Sequence, residues 1–252
     1  MKACACREPH PLRRVVLTGG PGAGKTAVLE LIRQSLCEHV KVLPESASIV
    51  FGGGFPREAS DGLRRAAQRA IFYVQRELET AAGTENPAIV LCDRGTIDGA
   101  AYWPGPDTLW SSVGTTRLEQ LARYDTVIHL RTPTAAEGYQ EARGSGLPST
   151  GRAGLGSYDQ RNPLRTESAR EAAFIDERIA LEWDGHPRRF TVEANTDFFV
   201  KARRTLELLR AELPECCRGH VTPHLTELER RHGDASERGS HPTDVARAVS
   251  GS

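Results

Sequence analysis

Apolar residues along the chain follow two alternating rhythms. Short apolar runs at 14–18, 41–45, 87–92, 126–131 and 188–192 read as strands, those at 14–18 and 87–92 as buried ones. Between them lie stretches with helical spacing. One follows at 27–36, with Val28, Leu29, Ile32 and Leu36 in phase. A longer one spans 61–82, with Leu63, Ala67, Ala70, Ile71, Val74 and Leu78 on one face, and Gly83 reads as the C′ residue that closes it. Further helices are expected around 115–122, at 168–184, where Ser168-Ala-Arg-Glu171 has capping-box form, and at 197–213. Gly52–Gly54 reads as a loop ending at Phe55-Pro56-Arg57. Strands alternating with helices predict an α/β domain: a mostly parallel five-stranded sheet flanked by helices. In such sheets ligands lie beyond the carboxyl ends of the strands.

The chemistry begins at the end of the first strand. Residues 19–26 read Gly-Gly-Pro-Gly-Ala-Gly-Lys-Thr and fit the P-loop pattern G-x-x-x-x-G-K-[ST]. The strand before it and the helix after it supply the context that pattern requires. Glycines let the backbone curl so that its N–H groups face a phosphate, and the helix N-terminus adds favourable dipole. Gly19, Gly20, Gly22, Ala23, Gly24, Lys25 and Thr26 are therefore the expected nucleotide cradle. Lys25 would reach the β- and γ-phosphates and the Thr26 hydroxyl would hold Mg²⁺.

Two further strands end in charge. Asp93, after Pro87–Cys92, is the expected second magnesium ligand, and Arg94 the neighbouring phosphate- or acceptor-ordering cation. Glu45 ends the second strand, expected beside the P-loop strand, and is the candidate base for an incoming hydroxyl. Arg57, Asp98, Tyr102 and Trp103 are candidates for the acceptor pocket. The Gly- and Ser-rich stretch near 143–168 carries interleaved arginines and reads as a lid, with Arg161 and Arg165 as its catalytic cations. His129, inside a strand run, reads as a core residue rather than a ligand.

Composition narrows the field. The 33 basic and 33 acidic residues balance to zero net charge, against a general attraction to nucleic acid or membranes. No apolar run approaches ~20 residues and no signal-peptide core is present, so the expectation is a cytoplasmic protein without membrane insertion. Residues 1–12 read as a flexible segment, 13–214 as the P-loop domain, and 215–252 as a polar, disordered tail. Cys4, Cys6, Cys216 and Cys217 lack the usual spacing of zinc ligands and read as free thiols near two mobile ends. Cys37 and Cys92 read as small core residues.

The P-loop, together with Leu43-Pro-Glu-Ser-Ala47 and Asp93-Arg-Gly-Thr-Ile-Asp98, resembles a P-loop family of predicted ATPases, often labelled AAA, that groups with nicotinamide-riboside kinase domains. Asn162-Pro-Leu-Arg165, Ile175-Asp-Glu-Arg178, Trp183, His186 and Phe190 carry the likeness to about residue 213. The arrangement is also similar to deoxynucleoside kinases. That resemblance implies Glu45 as base and Asp93-Arg94 as the acid–arginine pair, although this chain has Asp-Arg-Gly where those kinases have Glu-Arg-Ser. It has neither the helical lid domain nor the sensor motif of hexameric motors. The expected activity is phosphoryl transfer from ATP, with Mg²⁺, to a hydroxyl of a small, nucleoside-like acceptor by a monomer or homodimer. An ATP- or GTP-dependent binding protein or switch is the alternative.

Overall fold

The computed structural model describes residues 4–6, 8–33, 35–57, 60–134, 168–195, 197–221, 226–227 and 230. Five strands, β1 (Arg13–Thr18), β2 (Val40–Leu43), β3 (Ile89–Asp93), β4 (Thr126–Leu130) and β5 (Arg189–Val192), form one parallel sheet in the order β2-β3-β1-β4-β5. All five fall where the apolar runs place them. Their neighbours differ in one respect: β3 lies between β1 and β2, pairing Leu17 with Asp93 on one side and Leu43 with Cys92 on the other. Glu45 therefore sits one strand further from the P-loop strand than expected, with the β3 terminus between them.

Side-chain alternation along the strands splits the core into two layers. Val15, Leu17, Ile89, Leu91, Ile128 and Leu130 face α1 (Lys25–Arg33) and α8 (Phe198–Glu212). Val16, Val90, Cys92 and Val127 face the other way, toward Phe72 of α3 (Asp61–Gly83) and Ile179 of α7 (Ala169–Glu182), with Trp183 just beyond it. Short helices α2 (Ser46–Gly52), α4 (Asp98–Ala101), α5 (Leu109–Val113) and α6 (Arg117–Leu121) connect these elements.

Several boundaries move. Gly52, read as the start of a loop, is the last residue of α2. Gly83 is helical and does not serve as the left-handed cap; Thr84 follows in the right-handed region, and the chain turns at Asn86, with φ 51°. The capping box at Ser168 and Glu171 forms as its spacing predicts. The packed unit also extends past both expected limits, since Cys4, Cys217 and Val221 are buried in the α1/α8 layer and residues 215–221 are helical.

One brace from α7 bears directly on the P-loop. Asp176, almost fully buried, accepts the Gly20 N–H at 2.7 Å and the Thr132 N–H at 3.3 Å. The His129 Nε2 lies 2.9 Å from Oδ1, and Arg131 Nη1 3.2 Å from Oδ2. A carboxylate can only accept, so that histidine nitrogen carries the proton. His129 is thus a core residue, as read, and it also serves the loop. Burial works to raise the Asp176 carboxyl, but His129, the Gly20 N–H and Arg131 hold it below the ordinary carboxylate range. Its stabilising effect is therefore present above that range and is lost only as pH falls through the lowered value. Asp176→Ala leaves the Gly20 and Thr132 N–H groups and His129 buried without this acceptor. Urea unfolding at pH 7 should show a loss of about 3–5 kcal/mol, the cost of breaking a buried pair.

Candidate active site

The glycine loop takes the shape its residues permit. Gly19, Gly22 and Gly24 have φ of 137°, 76° and 84°. A Cβ on Gly19 would stand 2.1 Å from the Leu130 carbonyl oxygen. Gly20 is equally closed to side chains, because its Cβ would meet Thr132 Oγ1 at 2.5 Å and Asp176 Cβ at 2.7 Å. Lys25 opens α1, and its buried ammonium donates to the carbonyls of Gly19 and Gly20 at 2.8 and 2.9 Å. Burial, and then the nearby Arg94 guanidinium, lower its pKa to about 8. Thr26 is exposed at the helix start. Lys201 of α8 supports the loop from beneath, donating to the carbonyls of Ala23 and Arg131 at 3.0 and 2.8 Å.

Arg94 gathers the other predicted residues. Its Nε donates to Glu45 Oε1 at 2.7 Å, and its Nη1 donates to the Gly19 carbonyl at 3.1 Å and to Asp98 Oδ2 at 3.4 Å. It does so from φ 73°, a left-handed conformation that is rare outside glycine. The Ser48 hydroxyl donates to the second Glu45 oxygen at 2.5 Å. Burial pushes the Glu45 carboxyl up, yet Arg94, Ser48 and Lys25 outweigh it and hold the pKa at about 2. Asp98 is buried and saturated: Thr18 Oγ1 donates at 2.8 Å and Trp183 Nε1 at 2.6 Å, besides Arg94. It is expected as an acceptor contact, and the bonds it makes here hold Arg94.

Asp93 differs. Its carboxyl is buried and Oδ1 has no partner among the described residues. Burial first, and then Glu45, raise its pKa to about 6 against the opposing pull of Lys25 and Arg94. An orphaned carboxylate oxygen that feels the charge of the P-loop lysine, with the exposed Thr26 hydroxyl at the start of α1, supplies the oxygen-donor chemistry that suits a hard cation.

A cavity of about 720 Å³ joins the phosphate loop to Glu45 and Arg94, and Asp93 is not among the residues that line it. Pro21–Thr26 line it, as do Ala67, Gln68 and Ile71 of α3. Glu45, Arg94, Arg57, Asp98, Tyr102 and Trp103 all line it. The Arg57 guanidinium lies over the Phe51 ring at 4.6 Å, and Arg94 lies near the Tyr102 ring at 5.9 Å. Phe174 and Arg178 of α7 close a further side. Arg161, Arg165 and the expected lid from 143 to 167 lie outside the described residues.

The turn after Arg94 is itself braced by a buried network that the sequence did not signal. Tyr124 Oη accepts the Thr96 N–H at 2.8 Å and donates to Glu79 at 2.7 Å, and Arg123 neutralises Glu79 at 2.6 Å.

A family model described as an AAA domain matches residues 14–201, about three quarters of the chain. The chain belongs to this family. Two solved structures share the fold of this AAA domain. Deoxyadenosine kinase from M. mycoides with bound dATP superposes with a TM-score of 0.51 and 13% identity, covering 78% of this chain and 98% of that one. Thymidylate kinase from Candida albicans gives a TM-score of 0.51 and 12% identity, covering 81% and 92%. No curated protein matches the AAA domain significantly. No helix among the described residues is long and apolar enough to cross a membrane.

Because its folded pKa lies above the ordinary value, Asp93 stabilises the fold only while protonated, and that contribution is lost as pH rises through about 6. Asp93→Asn should therefore raise thermal stability at pH 8, by on the order of 2 kcal/mol, with the gain vanishing toward pH 4. Paired melts of the two proteins across that range check the sign.

Proposed function

We propose that this AAA domain is a kinase that moves the γ-phosphoryl group of ATP to a hydroxyl of a small, nucleoside-like acceptor. One observation carries the reading: a single guanidinium bonds both the Glu45 carboxylate and the Gly19 carbonyl of the phosphate loop, within one cavity. A group suited to orienting a hydroxyl and a cradle suited to a triphosphate are thereby held in fixed relation. The fold shared with kinases acting on a deoxynucleoside and on thymidylate supports the same class of substrate.

In this mechanism the loop N–H groups of Gly22–Thr26 face the β-phosphate, and Lys25 exchanges its two carbonyl acceptors for phosphate oxygens. Thr26 and Asp93 would hold Mg²⁺, which neutralises charge between the β- and γ-phosphates when bound. Glu45 accepts a hydrogen bond from the acceptor hydroxyl and points its oxygen at the γ-phosphorus. With a pKa of about 2 it is a weak base. That suits a loose phosphoryl transition state, in which orientation matters more than early proton removal. Arg57, Tyr102 and Trp103 wall the acceptor end, where planar rings suit a flat base. Arg161 and Arg165 are assigned to neutralise the charge of the transferring group.

Glu45→Gln keeps an oxygen for Arg94 and removes the charge. It should lower kcat by roughly 10²–10⁴-fold, measured against a panel of nucleosides, sugars and inositol-type alcohols, with ATP affinity by calorimetry nearly unchanged. Lost ATP binding would make Glu45 structural. Tight GTP preference with hydrolysis but no transfer would favour a nucleotide switch instead.

Glu45 stays ionised across the working range, so it adds no acidic limb to the rate profile. Asp93 does: activity should fall as pH drops below about 6, as protons displace Mg²⁺. Raising Mg²⁺ should shift that limb to lower pH, which a pH-rate series at two Mg²⁺ concentrations would show.

A further inference from the structure

At the amino end of the sheet, opposite the phosphate loop, three remote segments converge on one point. Cys4 comes from the N-terminal segment, Cys37 and His39 from the α1–β2 connection, and Cys217 from the helix at 215–221. Their four ligand atoms all lie within 4.8 Å of one another. Cys37 Sγ is 3.1 Å from Cys217 Sγ, His39 Nδ1 is 3.2 Å from Cys217 Sγ, and Cys37 Sγ is 3.8 Å from His39 Nδ1. A tetrahedral zinc with sulfur at about 2.3 Å and nitrogen at about 2.0 Å has ligand–ligand edges of about 3.5–3.8 Å. The spacings of 3.1 and 3.2 Å fall a little short of those edges and that of 3.8 Å reaches them, so the four atoms stand in a cluster that an ion need open only slightly.

We propose that Cys4, Cys37, His39 and Cys217 form a structural Cys₃His zinc site that fastens both ends of the chain to the edge of the sheet. Packing of small apolar side chains would explain three buried cysteines. It does not explain a histidine whose Nδ1 sits between two of the sulfurs. Thiolates with one imidazole are soft donors that select zinc over magnesium. The set supplies four ligands and no open position, which makes it structural rather than catalytic. His39 ties it to the fold, because its carbonyl accepts the N–H groups of Ala88 and Ile89 at 2.9 and 3.0 Å, where β3 begins.

Cys6, His10 and Cys216 form a second group against the first. His10 Nε2 lies 3.6 Å from Cys6 Sγ and 3.4 Å from Cys216 Sγ, and Cys216 Sγ lies 3.6 Å from Cys217 Sγ. With Cys217 as a bridging thiolate these three would complete four ligands, so occupancy reaches two ions per chain at most. Neither pair of cysteines near the termini has zinc-ligand spacing, because each ligand set is assembled from segments far apart in sequence.

The test uses the full chain, produced under reducing conditions with zinc. Elemental analysis after gel filtration should find about one to two zinc per chain and no stoichiometric iron, copper or nickel. Cobalt(II)-exchanged protein should show the intense visible bands of tetrahedral thiolate coordination. A strong chelator should remove the metal and lower Tm in the unmodified protein, so the result does not depend on any variant folding. Cys37→Ser and Cys217→Ser should each lose the zinc of this set, whereas Cys92→Ala, in the opposite core layer, should keep it. His39→Cys should retain zinc with altered cobalt bands. Metal-free protein with a Cys37–Cys217 disulfide, zinc retained in both serine variants, or a different stoichiometric metal would overturn the proposal.

Discussion

The Arg94 guanidinium organises the site, and the reason is solvation. A cation this largely buried is tolerable only when paired, so Glu45, Asp98 and the Gly19 carbonyl are tied through it to one another. Its backbone has no slack either. The Arg94 N–H bonds the Leu17 carbonyl at 3.0 Å while φ stands at 73°, an unfavourable conformation for arginine that the surroundings impose. Gly95 follows because a Cβ there would press on the Trp183 ring at 2.8 Å. Trp183 in turn holds Asp98, which closes the circuit from α7 back to Arg94.

The same cluster places two carboxylates in opposite electrostatic conditions. Glu45 lies against the cation and Ser48 and is held ionised far below neutral pH. Asp93 is buried, with one oxygen unpartnered among the described residues and with Glu45 as an unfavourable neighbour, so its charge is costly. The environment alone drives the two acids apart, without any difference in side-chain chemistry.

Much of this was legible in the sequence because its signals are local. The glycine loop, the five strand runs and the capping box at Ser168 depend on neighbours a few residues apart, and each appears where expected. What escaped notice depends on partners far along the chain. Nothing near Asp176 in sequence says that it will hold Gly20, and nothing near Lys201 points to Ala23. Strand order is equally non-local, which is why β2 was expected beside β1. Cys37 shows the limit most plainly: alone it reads as a small apolar residue, and only the fold brings Cys4, His39 and Cys217 to it. Asp98 was recognised as belonging to the site, but its saturation by Thr18 and Trp183 could be seen only in three dimensions.

The Asp176 brace also has a bearing on biosynthesis. The P-loop, Glu45 and Asp93 all lie in the first hundred residues, and the three strands that carry them are adjacent in the sheet. The carboxylate that holds Gly20 is made 156 residues after it. A nascent chain can therefore pair β1, β2 and β3 while its phosphate loop still lacks a clamp. The brace on the phosphate loop thus arrives only with α7, after the strands it serves have been made.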